Sequence, residues 1–239
     1  MSVRIRELEK PKCSRIKMLC DNVIDERLLK YPMVADVWST NSFNIICGTM
    51  GSGKTSFITT VVRNVFRKCY ESIYVIIPSS SRQSIQNDIY GKNLPEDQLF
   101  DDLNVDVLNN IYEKLNENTK EGYNSLLLID DFQGCLKQPD IMKALEKICI
   151  KVRHLRTTVF FLVQNYMKIP KSLRQLAQNV ILFNIGKQQL EQVFEEIIQI
   201  KKEKYEEIID VCFKEKHSWI LVNLHKSKNV YCNWDLVEF

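Results

Sequence analysis

The stretch Phe43-Asn-Ile-Ile-Cys-Gly-Thr-Met-Gly-Ser-Gly-Lys-Thr55 decides how this chain is read. Phe43 to Cys47 is a short apolar run suited to a buried strand, and Ser56 to Tyr70 reads as helix. Between them, Gly48, four intervening residues and Gly53-Lys54-Thr55 make the phosphate-binding loop pattern in its required strand–turn–helix setting. Glycine lets the backbone curl until its N–H groups converge on a polyanion, with a helix N-terminus behind them. Gly48, Thr49, Met50, Gly51, Ser52, Gly53, Lys54, Thr55 and Ser56 are therefore the expected nucleotide-binding residues. Lys54 would reach the β- and γ-phosphates, and the Thr55 hydroxyl would hold Mg²⁺. The implied ligand is a nucleoside triphosphate.

Composition narrows the class. A chain of 239 residues suits one α/β domain with appendages, or one domain and a small satellite. An apolar fraction of 45% with 26% charged residues is that of a soluble globular protein. The formal charge of +3 neither demands nor excludes nucleic acid, so any basic footprint must be local. No apolar run approaches the roughly 18 residues of a membrane-spanning helix. Met1 to Lys17 is basic and lacks the apolar core of a secretory signal. An intracellular, soluble protein is the expectation. The eight cysteines form no Cys-x-x-Cys pair and there are three histidines, so reduced thiols are expected rather than disulfides or a zinc site.

Taken in order, residues 1–42 carry Arg4, Arg6, Lys10, Lys12, Arg15 and Lys17, with Pro11 and Pro32 interrupting any long helix. This is a basic arm, either solvated or docked on a neighbouring subunit or on DNA phosphates. Ile73 to Ile77 reads as a second buried strand that runs into Pro78-Ser79-Ser80-Ser81. Residues 84–123 turn acidic and read as an insertion or edge segment with one amphipathic helix around Val107, Leu108, Ile111, Tyr112 and Leu115. Ser125 to Asp131, Ser-Leu-Leu-Leu-Ile-Asp-Asp, is a buried strand ending in two carboxylates. Asp130 would hold Mg²⁺ through water, and Asp131 is the candidate general base for an attacking water.

Ile141 to Leu155 is helical by period and delivers Arg153, His154 and Arg156 to the next strand, Val159 to Val163, which ends in Gln164-Asn165. An amide at that position can contact the γ-phosphate or the lytic water. Pro170-Lys171-Ser172-Leu173-Arg174 opens a short helix before the strand Val180 to Asn184. Lys187 to Lys216 reads as an amphipathic helix with a basic patch at Lys201, Lys202 and Lys204. Trp219 to Leu224 and Val230 to Trp234 flank His225-Lys226-Ser227-Lys228-Asn229 as a terminal β-hairpin.

Four blocks in this order resemble the FtsK–HerA superfamily of P-loop ATPases, and within it the poxvirus-type and virophage genome-packaging ATPases of double-stranded DNA viruses. They are Gly48 to Thr55, Leu126 to Asp131, Arg153-His154 with Gln164, and Ile169-Pro-Lys-Ser-Leu-Arg174 before a strand. The resemblance covers Phe43 to Asn184. Two positions depart from it: Val152 stands where the family commonly has Gly, and Asp131 where cellular members carry Glu.

The resemblance implies an α/β fold of the RecA/ASCE-like P-loop NTPase type: a mostly parallel sheet with helices on both faces, ligand at the strand carboxyl ends, plus a C-terminal helical segment and β-hairpin. Residues 43–184 would be the ATPase core, with 84–123 inserted, and 185–239 a C-terminal extension. The expected activity is ATP hydrolysis with Mg²⁺, coupled to sequence-independent translocation of double-stranded DNA into a preformed capsid. The partners would be copies of the chain in a homo-oligomeric ring of five or six, DNA, and a capsid or vertex protein, in host cytoplasm, viral factory or virion. Lys54, Asp131, Gln164, Arg153 and Arg174 are the implied catalytic set. Arg153 would be presented in trans to a neighbour's γ-phosphate, and Arg174 would sense nucleotide or close the interface. Two rivals remain open from sequence: a helicase-loader-like ring ATPase, and a nucleotide-gated assembly protein with little hydrolysis. No Asn-Lys-x-Asp motif supports a GTPase, and no Arg-rich lid supports a nucleotide kinase.

Overall fold

The computed structural model describes residues 38, 41–64, 66, 68–83, 89–199, 202–224 and 229–238. The basic arm, Lys201 and most of the His225–Asn229 turn lie outside the described residues.

Six strands run parallel: β1 (Phe43–Cys47), β2 (Ser72–Ile76), β3 (Leu99–Phe100), β4 (Ser125–Asp130), β5 (Thr157–Val163) and β6 (Asn179–Phe183). Three more, β7 (Trp219–Asn223), β8 (Val230–Cys232) and β9 (Asp235–Val237), continue the same sheet antiparallel. Their order across the sheet is β3-β2-β4-β5-β1-β6-β7-β8-β9. Every residue of β1, β4, β5 and β6 is buried, because helices cover both faces. That is the condition under which parallel strands occur, and it explains their unbroken apolar runs.

Side-chain alternation sorts those strands into two cores. Phe43, Ile45, Leu127, Ile129, Val159 and Phe161 point to one face. There they meet four helices. Helix α1 (Val105–Lys120) contributes Leu108, Ile111 and Leu115; helix α2 (Pro139–Ile150) contributes Ile141, Leu145 and Ile148. Helices α3 (Lys187–Ile197) and α4 (Lys202–Cys212) add Leu190, Phe194, Tyr205 and Ile208. Ile46, Leu126, Leu128, Phe160 and Leu162 point to the other face, against Ile58, Val61, Phe66 and Trp38. The helix that follows the Gly-rich loop, Lys54–Asn64, lies on this second side. On the same face the buried side chains of Asn44, Asn179 and Asn223 are linked at 2.8 and 3.0 Å across β1, β6 and β7. Asn44 also donates to Val159 O at 3.2 Å, so a polar group inside the core is satisfied.

Within residues 84–123, read as an insertion or edge segment, β3 is the edge strand of the sheet, and α1, capped by the Asn104 side chain accepting from Val107 N at 2.9 Å, buries one face in the main core. The terminal hairpin is present as β7 and β8, and β7 also pairs with β6 along its whole length from Asn179↔Asn223 to Phe183↔Trp219. One local outcome differs from the sequence reading: the helix expected over Lys187 to Lys216 is two helices, broken between Ile197 and Lys202. No helix among the described residues is long and apolar enough to cross a membrane.

Candidate functional site

The parallel strands deliver their carboxyl ends to one rim of the sheet, and the site is built there. Leaving β1, Gly48 donates from its backbone to Val163 O at 3.0 Å, which pins the start of the loop to β5. A Cβ on Gly48 would lie 2.4 Å from Ser52 Oγ and 2.8 Å from Phe183 Cβ, so the backbone approaches too closely for any side chain. Gly53 adopts φ +104°, a conformation that favours glycine. The chain then enters the helix at Lys54, with Phe57 N donating to Gly53 O at 2.8 Å.

Lys54 Nζ reaches back over the loop and donates to Gly48 O at 2.6 Å and Thr49 O at 3.0 Å. Burial lowers its pKa from the ordinary value, opposed by the negative charge of Asp130. Thr55 Oγ1 donates to Asp130 Oδ2 at 2.9 Å, joining the helix start to the end of β4. Asp130 is 6% exposed. Its burial pushes the carboxyl pKa up, and the Thr55 hydrogen bond and the Lys54 charge oppose that shift.

The next residue, Asp131, takes φ +64° and is exposed. A non-glycine residue in that region stores strain, and Asp tolerates it better than most. Its Oδ1 accepts from Gln164 Nε2 at 2.8 Å. Gln164 is itself braced by a residue that the sequence reading did not single out. Gln133 Oε1 accepts from the backbone N–H of Gln164 at 3.2 Å and of Asn165 at 3.1 Å, and Gln133 Nε2 donates to Asn165 O. Met50, Gly51, Ser52, Gly53, Lys54, Thr55, Ser56, Asp130, Asp131 and Gln164 all line one open cleft of ≈ 900 Å³.

His217 lines it too, with Nδ1 3.0 Å from Ser52 O. No motif pointed to this histidine. It reaches the site because β7 runs against β6, which returns the turn before Trp219 to the rim where the parallel strands end.

The two arginines part company. Arg153 is exposed and precedes the amino end of β5, outside the cleft. The length of β5 separates it from Gln164, about 20 Å at the usual rise per strand residue. It lines a separate hollow of ≈ 430 Å³ with Ile150, His154 and Gln175. Arg174 is 8% exposed and is spent inside its own subunit. Nε and Nη2 donate to Glu196 Oε1 and Oε2, both at 2.9 Å, while Nη1 donates to Ile169 O at 2.8 Å and Met167 O at 3.2 Å. The guanidinium also lies 5.3 Å from the Tyr166 ring centroid. Arg174, expected to sense nucleotide or close the interface, is thus engaged by Glu196 and two carbonyls within its own subunit. A planar fork saturated by carboxylate and carbonyls clamps the segment after β5 onto α3.

The donor set fits a magnesium-bound triphosphate. A hydroxyl paired with a buried carboxylate offers hard oxygen ligands, and Lys54 stands over a loop whose start tolerates no Cβ. Ser52 Oγ is buried at the same loop without a hydrogen-bond partner.

Comparison with known proteins agrees with this fold. The profile of the family described as Poxvirus A32 protein matches residues 35–235. The solved genome packaging NTPase B204 of Sulfolobus turreted icosahedral virus 2, in complex with AMP, is 16% identical. The match covers 82% of this chain and 98% of that one, with a TM-score of 0.61. B204 of Sulfolobus turreted icosahedral virus, described as a DNA-packaging ATPase, is 14% identical over 80% of this chain and 96% of its own, TM-score 0.63. The cytoplasmic domain of the Thermomonospora curvata type VII secretion ATPase EccC is 12% identical over 81% of this chain and 25% of its own, TM-score 0.55. No curated protein matches in sequence. At these identities the structural matches establish the fold: a P-loop ATPase sheet.

Proposed function

The chain belongs to the Poxvirus A32 protein family, and from that premise we propose that it is an ATPase that drives double-stranded DNA into a preformed viral capsid, working as a homo-oligomeric ring with ATP hydrolysed between subunits. The observation that carries the reading is the pairing of two contacts over one cleft: Thr55 Oγ1 to Asp130 Oδ2 at 2.9 Å, and Gln164 Nε2 to Asp131 Oδ1 at 2.8 Å. The first is a metal-holding pair and the second a water-activating pair. The solved Sulfolobus virus proteins of the same fold are described as packaging enzymes, which supports the choice of task.

The residues divide the work. Thr55 and Asp130 would hold Mg²⁺, which when bound neutralises charge on the β- and γ-phosphates. Lys54 exchanges the carbonyls of Gly48 and Thr49 for phosphate oxygens, and the loop N–H groups accept the rest of the charge. Asp131 takes a proton from water as its oxygen attacks the γ-phosphorus and the bond to the β-bridging oxygen breaks, releasing ADP and phosphate. Gln164 fixes the Asp131 carboxylate and so reports on the cleft through Gln133 and Asn165. Arg153, about 20 Å from its own cleft by strand length, can serve only a neighbour's; this supports its assignment as a finger in trans. Such a finger contributes about 10³–10⁵ in rate by neutralising transition-state charge.

Steady-state ATP hydrolysis with and without linear double-stranded DNA tests the proposal. Stimulation that rises cooperatively with protein concentration supports a ring motor. Turnover indifferent to DNA at every protein concentration would reject translocation and favour a loader or a protein-gated switch.

A further inference from the structure

Ser52 belongs to the Gly-rich loop and His217 lies 165 residues further on, in the turn that leads into β7, yet the two meet: His217 Nδ1 stands 3.0 Å from Ser52 O. A carbonyl oxygen can only accept, so Nδ1 carries the hydrogen and donates. The histidine also rests on the next residue, since a Cβ on Gly53 would lie 3.3 Å from Nδ1 and 3.7 Å from the histidine Cβ. His217 thus addresses one peptide group, the link between Ser52 and Gly53 that immediately precedes Lys54.

The orientation of that group decides whether the loop attracts an anion. In a planar trans peptide the C=O and the following N–H point in opposite directions. Holding Ser52 O toward the histidine therefore turns the Gly53 N–H away from it. The loop offers little resistance of its own to rotation of this peptide, because Gly51 and Gly53 flank Ser52 with φ +73° and +104°. A rotated peptide would present a carbonyl oxygen to a polyanion in place of an N–H donor.

Resting on the reading of the cleft as the triphosphate site, we infer that His217 is a positioning residue for phosphate binding, which locks the Ser52–Gly53 peptide with the Gly53 N–H facing the phosphates. The histidine is itself firmly placed. It takes φ +67°, and strain of this kind persists only where the surrounding structure holds it. The residues that follow are pinned by Asn233: Ser218 Oγ accepts from Asn233 Nδ2 at 3.2 Å, and Asn233 Oδ1 accepts from Trp219 N at 3.1 Å. Trp219 packs on Phe57, in the first turn of the helix after the loop, with ring centroids 4.8 Å apart. Residues 217–219 therefore grip the loop and the start of its helix together. Phosphate affinity then depends on a segment beyond the expected ATPase core, brought to the rim by the antiparallel pairing of β7 with β6.

Calorimetric binding of magnesium tripolyphosphate and of Mg·ATP, read beside steady-state ATP hydrolysis, tests this. His217→Gly removes the donor and suits a left-handed backbone, so the denaturation midpoint should stay near wild type. It should weaken both ligands by one common factor, about tenfold, the scale of one hydrogen bond to a charged group. KM for ATP should rise with it, and kcat should fall less. His217→Asn tolerates the same backbone, brings an amide N–H to replace Nδ1–H, and should restore both affinities. Unchanged affinities in His217→Gly, or a loss that His217→Asn does not restore, overturns the positioning role while leaving the phosphate site standing. Wild-type protein that binds neither ligand overturns the phosphate-site reading, and the positioning role with it.

Discussion

Gln164 Nε2 and Asp131 Oδ1 meet at 2.8 Å across the ends of β5 and β4, so the amide that can sense the γ-phosphate is wired to the carboxylate that would activate water. The backbone of Asp131 is left-handed and that of Gln164 is tied to Gln133. Asp131 is thus positioned by its own main chain, and Gln164 by the side chain of Gln133.

Asp131→Asn is the cleanest test of the base. Asn tolerates φ +64° as well as Asp, so the substitution removes charge without adding backbone strain. We expect turnover to fall by about 10²–10⁴, the usual contribution of general acid–base catalysis, with Mg·ATP affinity retained. Normal turnover would dismiss Asp131 from the chemistry. Gln133→Ala should lower turnover less, because it loosens Gln164 without removing it.

Arg153→Ala should leave the thermal midpoint and ATP affinity near wild type while hydrolysis falls by about 10³ or more. Mixing it with excess Lys54→Ala protein should restore some turnover, since a mixed interface joins an intact Lys54 to an intact Arg153. Absence of rescue at every ratio would remove Arg153 from the interface.

Arg174→Ala should do the reverse. It leaves the carboxylate of Glu196 and two backbone carbonyls without their donor, and breaking a largely buried pair costs about 3 kcal/mol. Chemical denaturation reads this directly. A variant as stable as wild type but dead in hydrolysis would assign Arg174 to catalysis rather than to the clamp.

The pH dependence of stability reports on Asp130. Burial raises its folded pKa above the unfolded value, so the folded protein holds this proton more tightly than the unfolded chain. Its contribution to stability therefore falls as pH rises from the unfolded value through the folded one, and is unfavourable above both. Asp130→Asn keeps an oxygen for Thr55 and removes the titration. We expect a higher denaturation midpoint at pH 7, a gain that disappears toward pH 3, and loss of Mg²⁺-dependent turnover. A gain independent of pH would assign the effect to packing.

Much of this arrangement is legible in the chain itself, for physical reasons particular to each element. Phe43 to Cys47 is bounded as a strand by the glycine that must follow it, and Ser125 to Asp130 by the carboxylates that need the rim. Buried parallel strands are continuous apolar runs, and such runs are easy to see. The two-residue β3 has no such signal, and the ladder partners that define it lie in β2. The pairing of β7 with β6 is likewise a long-range event; Trp219 to Asn223 reads as a strand, but its neighbour is not written in its own residues. Gln133 and His217 escaped for the same reason. Each acts through a contact made by topology, and an isolated Gln or His in a turn carries no motif. Arg174 was read by its position in a pattern, and the partner that claims it, Glu196, lies on a helix where any face could have turned inward.

The place of β1 in the sheet has a consequence for how the protein is made. Asn44 is hydrogen-bonded to Val159, 115 residues further along, and to Asn179, 135 further along. A ribosome adding about 5–20 residues per second leaves the strand that bears the phosphate loop without neighbours for roughly ten seconds. During that time Phe-Asn-Ile-Ile-Cys is a sticky edge awaiting both flanks. Nascent chains shorter than residue 163 should bind no ATP and should depend on chaperone shielding, because the nucleotide pocket is among the last parts of the molecule to come into being.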